Sequence, residues 1–209
     1  DNFWIAYSTG VERVLHQPVR REVVLHPDRP WEAGGLSYLT ALCDQGKIRG
    51  WYRADPVLKG SDYHSITCYA ESDDGIHWTK PELGLVQFEG SHENNIVWAE
   101  PGINFAPFVD QNPACAEEER YKAIVRTGDL YALVSPDGVR WRLMQEEPIL
   151  ADRPFDSHNI AFWDTWREEY VAYARSVNGP EGSFKGGVRW VRRSTSKDFM
   201  NWTRWEQID

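Results

Sequence analysis

The chain has 209 residues, with 32 acidic side chains against 23 Lys and Arg, and a formal net charge of -9. This charge argues against nucleic acid or an anionic membrane as the main partner, because both attract basic surfaces. No run of about 18 apolar residues appears, so no membrane-spanning helix is predicted. Three cysteines without a CxxC pair predict neither a disulfide framework nor a metal site. The sequence begins at Asp1 with neither an initiator Met nor a signal peptide, and it indicates no cellular compartment.

The first 30 residues precede a repeated region and are expected to supply an extra outer strand. From residue 31 onward, three units each begin with a short apolar run that ends in Asp, the pattern of a buried strand leading into a turn. These first strands are predicted at 36–44, 104–110 and 159–164. Second strands, each ending in Arg, are predicted at 48–53, 121–126 and 170–175.

Third strands are predicted at 66–71, 130–134 and 189–195, and fourth strands at 79–88, 142–150 and 203–208. Between them lies a repeated Ser/Asp/Trp turn whose Ser residues stand 63 and 61 positions apart. Its copies are Ser72-Asp73-Asp74-Gly75-Ile76-His77-Trp78, Ser135-Pro136-Asp137-Gly138-Val139-Arg140-Trp141 and Ser196-Lys197-Asp198-Phe199-Met200-Asn201-Trp202. Ser and Asp side chains accept hydrogen bonds from nearby backbone N–H groups, and Gly tolerates a positive φ. We therefore interpret these turns as folding devices and place no catalysis on their Asp residues.

Four antiparallel strands per unit, repeated three times, predict an all-β fold of β-propeller blades. The blades are expected at 31–100, 101–153 and 154–209 within a single domain. Propellers close with about four to eight blades, so further blades from the same gene or from another chain are needed to close the ring.

The inner strands of a propeller line a central funnel, so polar groups at their starts should converge there. Glu32 precedes the first inner strand and Asp156 the third. Glycoside hydrolysis needs such a pair of carboxylates, one to protonate the leaving oxygen and one to act as nucleophile or base. We predict Glu32 and Asp156 as catalytic residues, with Glu32 as the acid. The alternative is that both are turn or capping groups.

Other polar and aromatic residues at the same rim are predicted to bind the substrate. The second strands end in arginines, which could bind a carboxylate or sulfate or instead form surface ion pairs with Asp55 or Asp129. Trp31 could stack on a sugar ring or fill the core. The full predicted binding set is Trp31, Arg53, Asn104, Arg126, His158, Asn159 and Arg175.

Three stretches resemble bacterial proteins grouped with family-32 glycoside hydrolases: residues 68–84, 94–98 and 155–159. The resemblance implies a five-bladed propeller like those of the β-fructosidase and arabinanase families. It also implies catalytic carboxylates at the starts of inner strands in the first three blades, as Glu32 and Asp156 are. The β-fructosidase signatures WMNDPNG, RDP and EC are absent, so no fructoside specificity is implied.

The leading hypothesis is a glycoside hydrolase, or part of one, that binds carbohydrate and needs no cofactor. The second is a non-catalytic glycan-binding or scaffold propeller. A third is a sialidase-like hydrolase, because the Ser/Asp/Trp turns occur together with three strand-end arginines.

Overall fold

A computed structural model describes residues 7, 9–12, 14–57, 64–178 and 187–208. Within these ranges the chain forms three antiparallel sheets and contains no α-helix. The first sheet consists of β1 (Leu36–Asp44), β2 (Lys47–Ala54), β3 (Ile66–Ser72), β4 (Trp78–Thr79) and β5 (Ile96–Trp98). The second consists of β6 (Ile103–Val109), β7 (Tyr121–Thr127), β8 (Asp129–Ser135) and β9 (Arg142–Leu143). The third consists of β10 (Ile160–Asp164), β11 (Glu169–Asn178), β12 (Val188–Ser196) and β13 (Glu206–Ile208).

The first four strands of each sheet pair in chain order, as an antiparallel meander, and β5 of the first sheet pairs with β3. The propeller-blade class predicted from the repeat is therefore confirmed, and the three inner strands lie where they are predicted. The fourth strands predicted at 142–150 and 203–208 are shorter in the structure, where they span Arg142–Leu143 and Glu206–Ile208. The fourth strand of blade one, predicted at 79–88, differs in another way. It is split into β4, which pairs with one end of β3, and β5, which pairs with the other end. Pro81 follows β4 almost directly and has no N–H for a ladder bond, which helps to explain why the strand stops there.

The three Ser/Asp/Trp turns share one hydrogen-bond pattern. In the second copy, the Ser135 hydroxyl accepts the N–H groups of Asp137 and Gly138, at 3.3 and 2.9 Å. The Asp137 carboxylate accepts the next two backbone N–H groups, and the Trp141 indole donates to the Gly138 carbonyl at 2.9 Å. The first and third copies repeat the Asp and Trp bonds. All three Trp side chains are partly buried, each over its own turn.

The turns also join neighbouring blades. The Trp51 indole of blade one donates to the carbonyl of Gly138 in the second turn at 2.7 Å. In the third turn Phe199 stands in the Gly position with φ 66°. Its ring is fully buried and lies edge-on to Phe108 of blade two, with ring centroids 5.6 Å apart. A positive φ is unfavourable for a bulky residue, but in this position the Phe199 ring fills the space between two sheets.

A second contact between blades repeats at the same end of the sheets, where the inner strands end. Tyr121, at the start of β7, donates its hydroxyl proton to Asp44, the last residue of β1. Tyr170, near the start of β11, donates to Asp110, which follows β6, at 2.6 Å. The Asp that ends the apolar run of blades one and two therefore binds the next blade, which gives this sequence feature a structural role.

The segment before residue 30 is predicted to supply an outer strand. Its described residues, 7, 9–12 and 14–29, form no strand. The segment contacts blade one through Lys80, whose ammonium group donates to the His26 carbonyl at 2.6 Å and to Asp28 at 2.7 Å. Within the described ranges, no helix has the length and apolar character needed to cross a bilayer.

Candidate functional site

The start of each inner strand carries one residue in the left-handed backbone region. Tyr38 has φ 54°, Asn104 has φ 62° and His158 has φ 61°. In β1 and β6 the pairing register shifts around these residues, between Ser37 and Thr40 and between Ile103 and Ala106. A positive φ costs energy for residues other than glycine, and such strain is concentrated at functional sites. The same backbone conformation recurs at the start of the inner strand in all three blades. We call this end of the inner strands the rim of the funnel.

Two of these residues meet across the funnel. The rings of Tyr38 and His158 are stacked, with centroids 5.7 Å apart and an interplanar angle of 20°. Tyr38 keeps 37% of its surface exposed, His158 is also exposed, and partial desolvation lowers the pKa of the His158 imidazole. Blades one and three therefore approach each other at their inner strand starts and present a flat aromatic face there.

Asp156 lies beside this face, on the segment that leads into β10. Its backbone N–H donates to the Arg175 carbonyl at 2.9 Å, which fixes the segment to β11. Its carboxylate accepts the Ser157 N–H at 2.8 Å, the guanidinium of Arg175, and the Nε of Arg189 at 3.3 Å. Burial raises the pKa of Asp156, but these donors outweigh it and the net pKa is lowered. Asp156 is therefore ionised at neutral pH, with 20% of its side chain exposed.

The three strand-end arginines occupy equivalent places in β2, β7 and β11. Arg53 donates to Asp55 at 2.8 Å, and Arg175 pairs with Asp156. The Nε of Arg126 is buried and has no hydrogen-bond partner in the described part of the chain. Burial lowers the pKa of Arg126, and repulsion from Arg53 adds to this, while attraction by Asp156 opposes it. The electrostatic coupling links the arginine of blade two to both neighbouring blades.

Two asparagines complete the rim. Asn104 is 3% exposed, and neither its amide nitrogen nor its amide oxygen has a hydrogen-bond partner among the described residues. Asn159 donates to the Asp156 carbonyl at 3.0 Å, while its own side-chain oxygen is buried without a described partner. Buried polar groups are normally satisfied, so these amides are suited to bind a ligand's hydroxyl groups.

Glu32 lies in a different environment. Its carboxylate is fully buried and accepts hydrogen bonds from the Tyr52 hydroxyl and the Lys80 ammonium group, both at 2.7 Å. The backbone N–H groups of Asp28 and Arg29 donate to the same carboxylate at 3.0 and 3.2 Å. No hydrogen bond or ion pair among the described residues connects Glu32 with Asp156. The structure thus brings the predicted binding residues of blade three together with Asp156, but shows no such contact for Glu32.

Trp31 belongs to the same buried network. It is 8% exposed, its indole donates to the Asn95 amide oxygen at 2.9 Å, and its ring lies edge-on to Phe88. The Asn95 amide nitrogen donates to the hydroxyl of Tyr52 at 2.7 Å, which closes the chain of bonds to Glu32. The structure therefore places Trp31 in the core of blade one and not at an open sugar-binding face. We name the group of Trp31, Glu32, Tyr52, Lys80 and Asn95 the Glu32 network.

Five residues of these two sites were not predicted from the sequence. They are Tyr52, Lys80 and Asn95 of the Glu32 network, and Tyr38 and Arg189 at the rim. Lys80 and Asn95 stand in the stretches 68–84 and 94–98 that carry the family resemblance, which was the available signal for them. Tyr38 lies in a predicted strand, and only the repeated position relative to Asn104 and His158 could have indicated it. Within the described ranges, no group of three or more His, Cys, Asp or Glu side chains is arranged to hold a metal ion.

No protein-family model matches the chain. Two uncharacterised proteins of Mycobacterium tuberculosis, MT1551 and Rv1502, are each 26% identical to it over 140 residues. The match covers 66% of this chain and 41% of each relative. The chain therefore corresponds to less than half the length of the curated relatives that it matches.

Several solved structures share the fold at low sequence identity. A fructofuranosidase of Schwanniomyces occidentalis complexed with fructosylnystose has a TM-score of 0.64 at 12% identity, with 90% of this chain and 36% of that chain covered. A Bacteroides ovatus protein described as a candidate glycoside hydrolase has a TM-score of 0.59 at 17% identity, covering 88% and 58%. An N-acetylgalactosamine deacetylase from F. plautii in complex with blood group B trisaccharide has a TM-score of 0.55 at 14% identity, covering 83% and 52%. The chain has a glycoside-hydrolase-like, all-β propeller fold.

Proposed function

We propose that this chain is part of a glycoside hydrolase whose glycan site lies at the rim of the funnel. The observation that carries the proposal is the convergence of Asp156 with the stacked pair of Tyr38 and His158, which come from blades one and three. An ionised carboxylate beside an aromatic face is a suitable arrangement for a sugar ring. The solved structures with this fold include glycan-acting proteins, which supports the same substrate class.

Each rim residue has a role in this proposal. Asp156 is held ionised by Arg175 and Arg189 and suits the carboxylate that attacks the sugar or activates water. The Tyr38 and His158 rings provide the stacking face. The unpartnered amide of Asn104 and the unpartnered side-chain oxygen of Asn159 would bind sugar hydroxyls.

The remaining role is that of the general acid, which protonates the leaving oxygen. The sequence predicts Glu32, but its carboxylate is enclosed by Tyr52 and Lys80. To protonate a leaving oxygen, Glu32 would have to break both bonds and reach the funnel. This enclosure favours the second candidate function, a glycan-binding propeller in which Asp156 positions the sugar without cleaving it.

Further blades are part of the proposal, and the face of blade three supports them. Phe108 of blade two is 7% exposed because Phe199 packs on it, whereas Phe162, its counterpart in β10, is 37% exposed. Among the described residues no Tyr hydroxyl reaches Asp164, the counterpart of Asp44 and Asp110, which instead pairs with Arg167 at 3.0 Å. We expect another four-stranded blade to pack here, with a Tyr at the start of its second strand bound to Asp164.

The test is to prepare Asp156→Asn and Glu32→Gln in the full-length protein and to assay hydrolysis and binding on a panel of glycans. For the hydrolase, Asp156→Asn should lower turnover by about 100-fold or more while leaving the unfolding temperature nearly unchanged. If Glu32 is the acid, Glu32→Gln lowers turnover by a similar factor even at temperatures where the variant is fully folded. Glycan binding without turnover in the wild type would favour the non-catalytic function, and full activity of Asp156→Asn would contradict the proposed site.

A further inference from the structure

The rim of the funnel carries more positive than negative charge. Four guanidinium groups meet two carboxylates there, namely Arg53, Arg126, Arg175 and Arg189 with Asp55 and Asp156. Arg175 and Arg189 share the single carboxylate of Asp156. This local excess contrasts with the formal net charge of -9 for the whole chain.

Of the four rim arginines, only Arg126 forms no ion pair among the described residues. Its Nε is buried without a partner, and the attraction by Asp156 is opposed both by burial and by repulsion from Arg53. A charge removed from water without a partner is costly. An anion bound at this point would restore the missing attraction, and the planar fork of Arg matches a group with two or three equivalent oxygens.

Neutral donors and acceptors accompany this charge on the same pair of strands. Arg126 in β7 stands opposite Ile103 in β6, and the next residue of β6 is Asn104. Both amide atoms of Asn104 are buried and unpartnered among the described residues. Blade two therefore carries one cation and one amide near the start of its inner strand, a combination suited to a sugar that carries an anionic substituent.

We propose that the funnel binds a saccharide bearing a carboxylate or sulfate group, and that Arg126 donates hydrogen bonds to that group. The inference rests on the proposed glycan site and adds the charge of its substrate. Asp156 remains beside the sugar ring, paired with Arg175 and Arg189, and the ligand's anion would add to the partial attraction that Asp156 exerts on Arg126. Arg53 is already paired with Asp55 at 2.8 Å, and it would attract the ligand's anion without a direct hydrogen bond.

The experiment measures binding of the full-length protein to three probes by isothermal titration calorimetry. The probes are an oligogalacturonate, its carboxyl-reduced neutral counterpart, and a sulfated neutral oligosaccharide. We expect at least one anionic probe to bind about tenfold or more tightly than the neutral one, with affinity falling as salt is added. Tighter binding of the uronate identifies a carboxylate, and tighter binding of the sulfated probe identifies a sulfate ester.

Variants assign the effect to Arg126. Arg126→Gln should abolish the preference for the anionic probe, and Arg126→Lys should retain part of it, since Lys keeps the charge without the planar fork. The matched control is Arg140→Gln, which removes an exposed arginine from the second Ser/Asp/Trp turn and should leave binding unchanged. Should Arg126→Gln fail to fold, the other two measurements test the role of Arg126. A reduced anionic preference in Arg126→Lys, together with affinity that falls as salt is added, would support it, and an unchanged preference would contradict it.

Two results separate this inference from the proposed function. Equal or tighter binding of the neutral probe would overturn the anionic substrate while leaving a glycan site in place. An anionic preference that survives in folded Arg126→Gln would also overturn the role of Arg126. Failure of all three probes, and of every glycan in the hydrolysis panel, would contradict the glycan site itself.

Discussion

Two carboxylates at equivalent places in the chain lie in opposite surroundings. Glu32 and Asp156 both precede inner strands, yet Glu32 is fully buried with four donors around it, and Asp156 keeps 20% of its side chain exposed beside two arginines. The donors to Glu32 come from blade one and the segment before it. Asp156 is also coupled to Arg126 of blade two. Position before an inner strand therefore does not determine the role of a carboxylate, whereas the origin and exposure of its partners do.

The largest expected effect comes from removing the cation of the Glu32 network. Lys80 is 6% exposed and Glu32 is 0% exposed at side-chain level, so Lys80→Met would leave a buried carboxylate without its counter-charge. We expect a loss of about 3–5 kcal/mol in the free energy of unfolding, as for other broken buried ion pairs. Urea denaturation of the wild type and variant measures it.

Lys47→Met is the matched control for that change. Lys47 pairs with Glu71 at 2.6 Å, also in blade one, but both side chains are partly exposed, at 44% and 26%. Exposed pairs contribute about 0–1 kcal/mol, so this variant should unfold almost as the wild type does. Equal losses from Lys80→Met and Lys47→Met would show that the Glu32 network is not a buried structural unit.

A smaller loss of stability should distinguish Tyr52, in the Glu32 network, from Tyr38, at the rim of the funnel. The Tyr52 hydroxyl donates to Glu32 and accepts from Asn95, so Tyr52→Phe breaks two buried hydrogen bonds. A loss of about 1–3 kcal/mol is expected, because each buried partner loses one of its hydrogen bonds. Tyr38→Phe keeps the ring that stacks on His158 and should leave the free energy of unfolding within about 0.5 kcal/mol of the wild type. The reverse ranking in chemical denaturation would overturn the contrast between core and rim.

The fold could be predicted from sequence because each blade is specified locally and the specification repeats. Ser135, Asp137 and Trp141 form the bonds that their side-chain chemistry predicts. The split of β4 from β5 could not be predicted, since it depends on where Asn94 and Asn95 return the chain to β3. Asn94 donates to the Val86 carbonyl at 2.7 Å and Asn95 to the Tyr69 carbonyl at 2.6 Å, contacts that no periodicity reveals.

The site was predictable only where neighbouring residues in sequence form it. Asp156, His158 and Asn159 lie on one segment, and the structure keeps them at the rim. The Glu32 network joins residues 64 positions apart, as Trp31 and Asn95 are, and a single sequence gives no indication of such pairing. The left-handed conformation of Tyr38 likewise accompanies the register shift in β1, which no periodicity in the sequence indicates.

The smallest effect concerns the pH dependence of stability at Asp156. Its pKa is lowered in the folded chain because the donors Arg175, Ser157 and Arg189 outweigh the opposing effect of burial. A lowered pKa means that the ionised form stabilises the fold above the ordinary value of 3.8, and that this contribution is lost as the pH falls through the folded value. Because the group is partly exposed, we expect the contribution to be below about 1 kcal/mol and to weaken with added salt.

The measurement compares urea unfolding of the wild type and Asp156→Asn from neutral pH downward. The difference between the two should be constant at neutral pH and should shrink once the pH falls below the ordinary carboxyl range. A difference that persists or grows in acid would mean that Asp156 is held by packing and not by its charge, and the contrast with Glu32 would then rest on exposure alone.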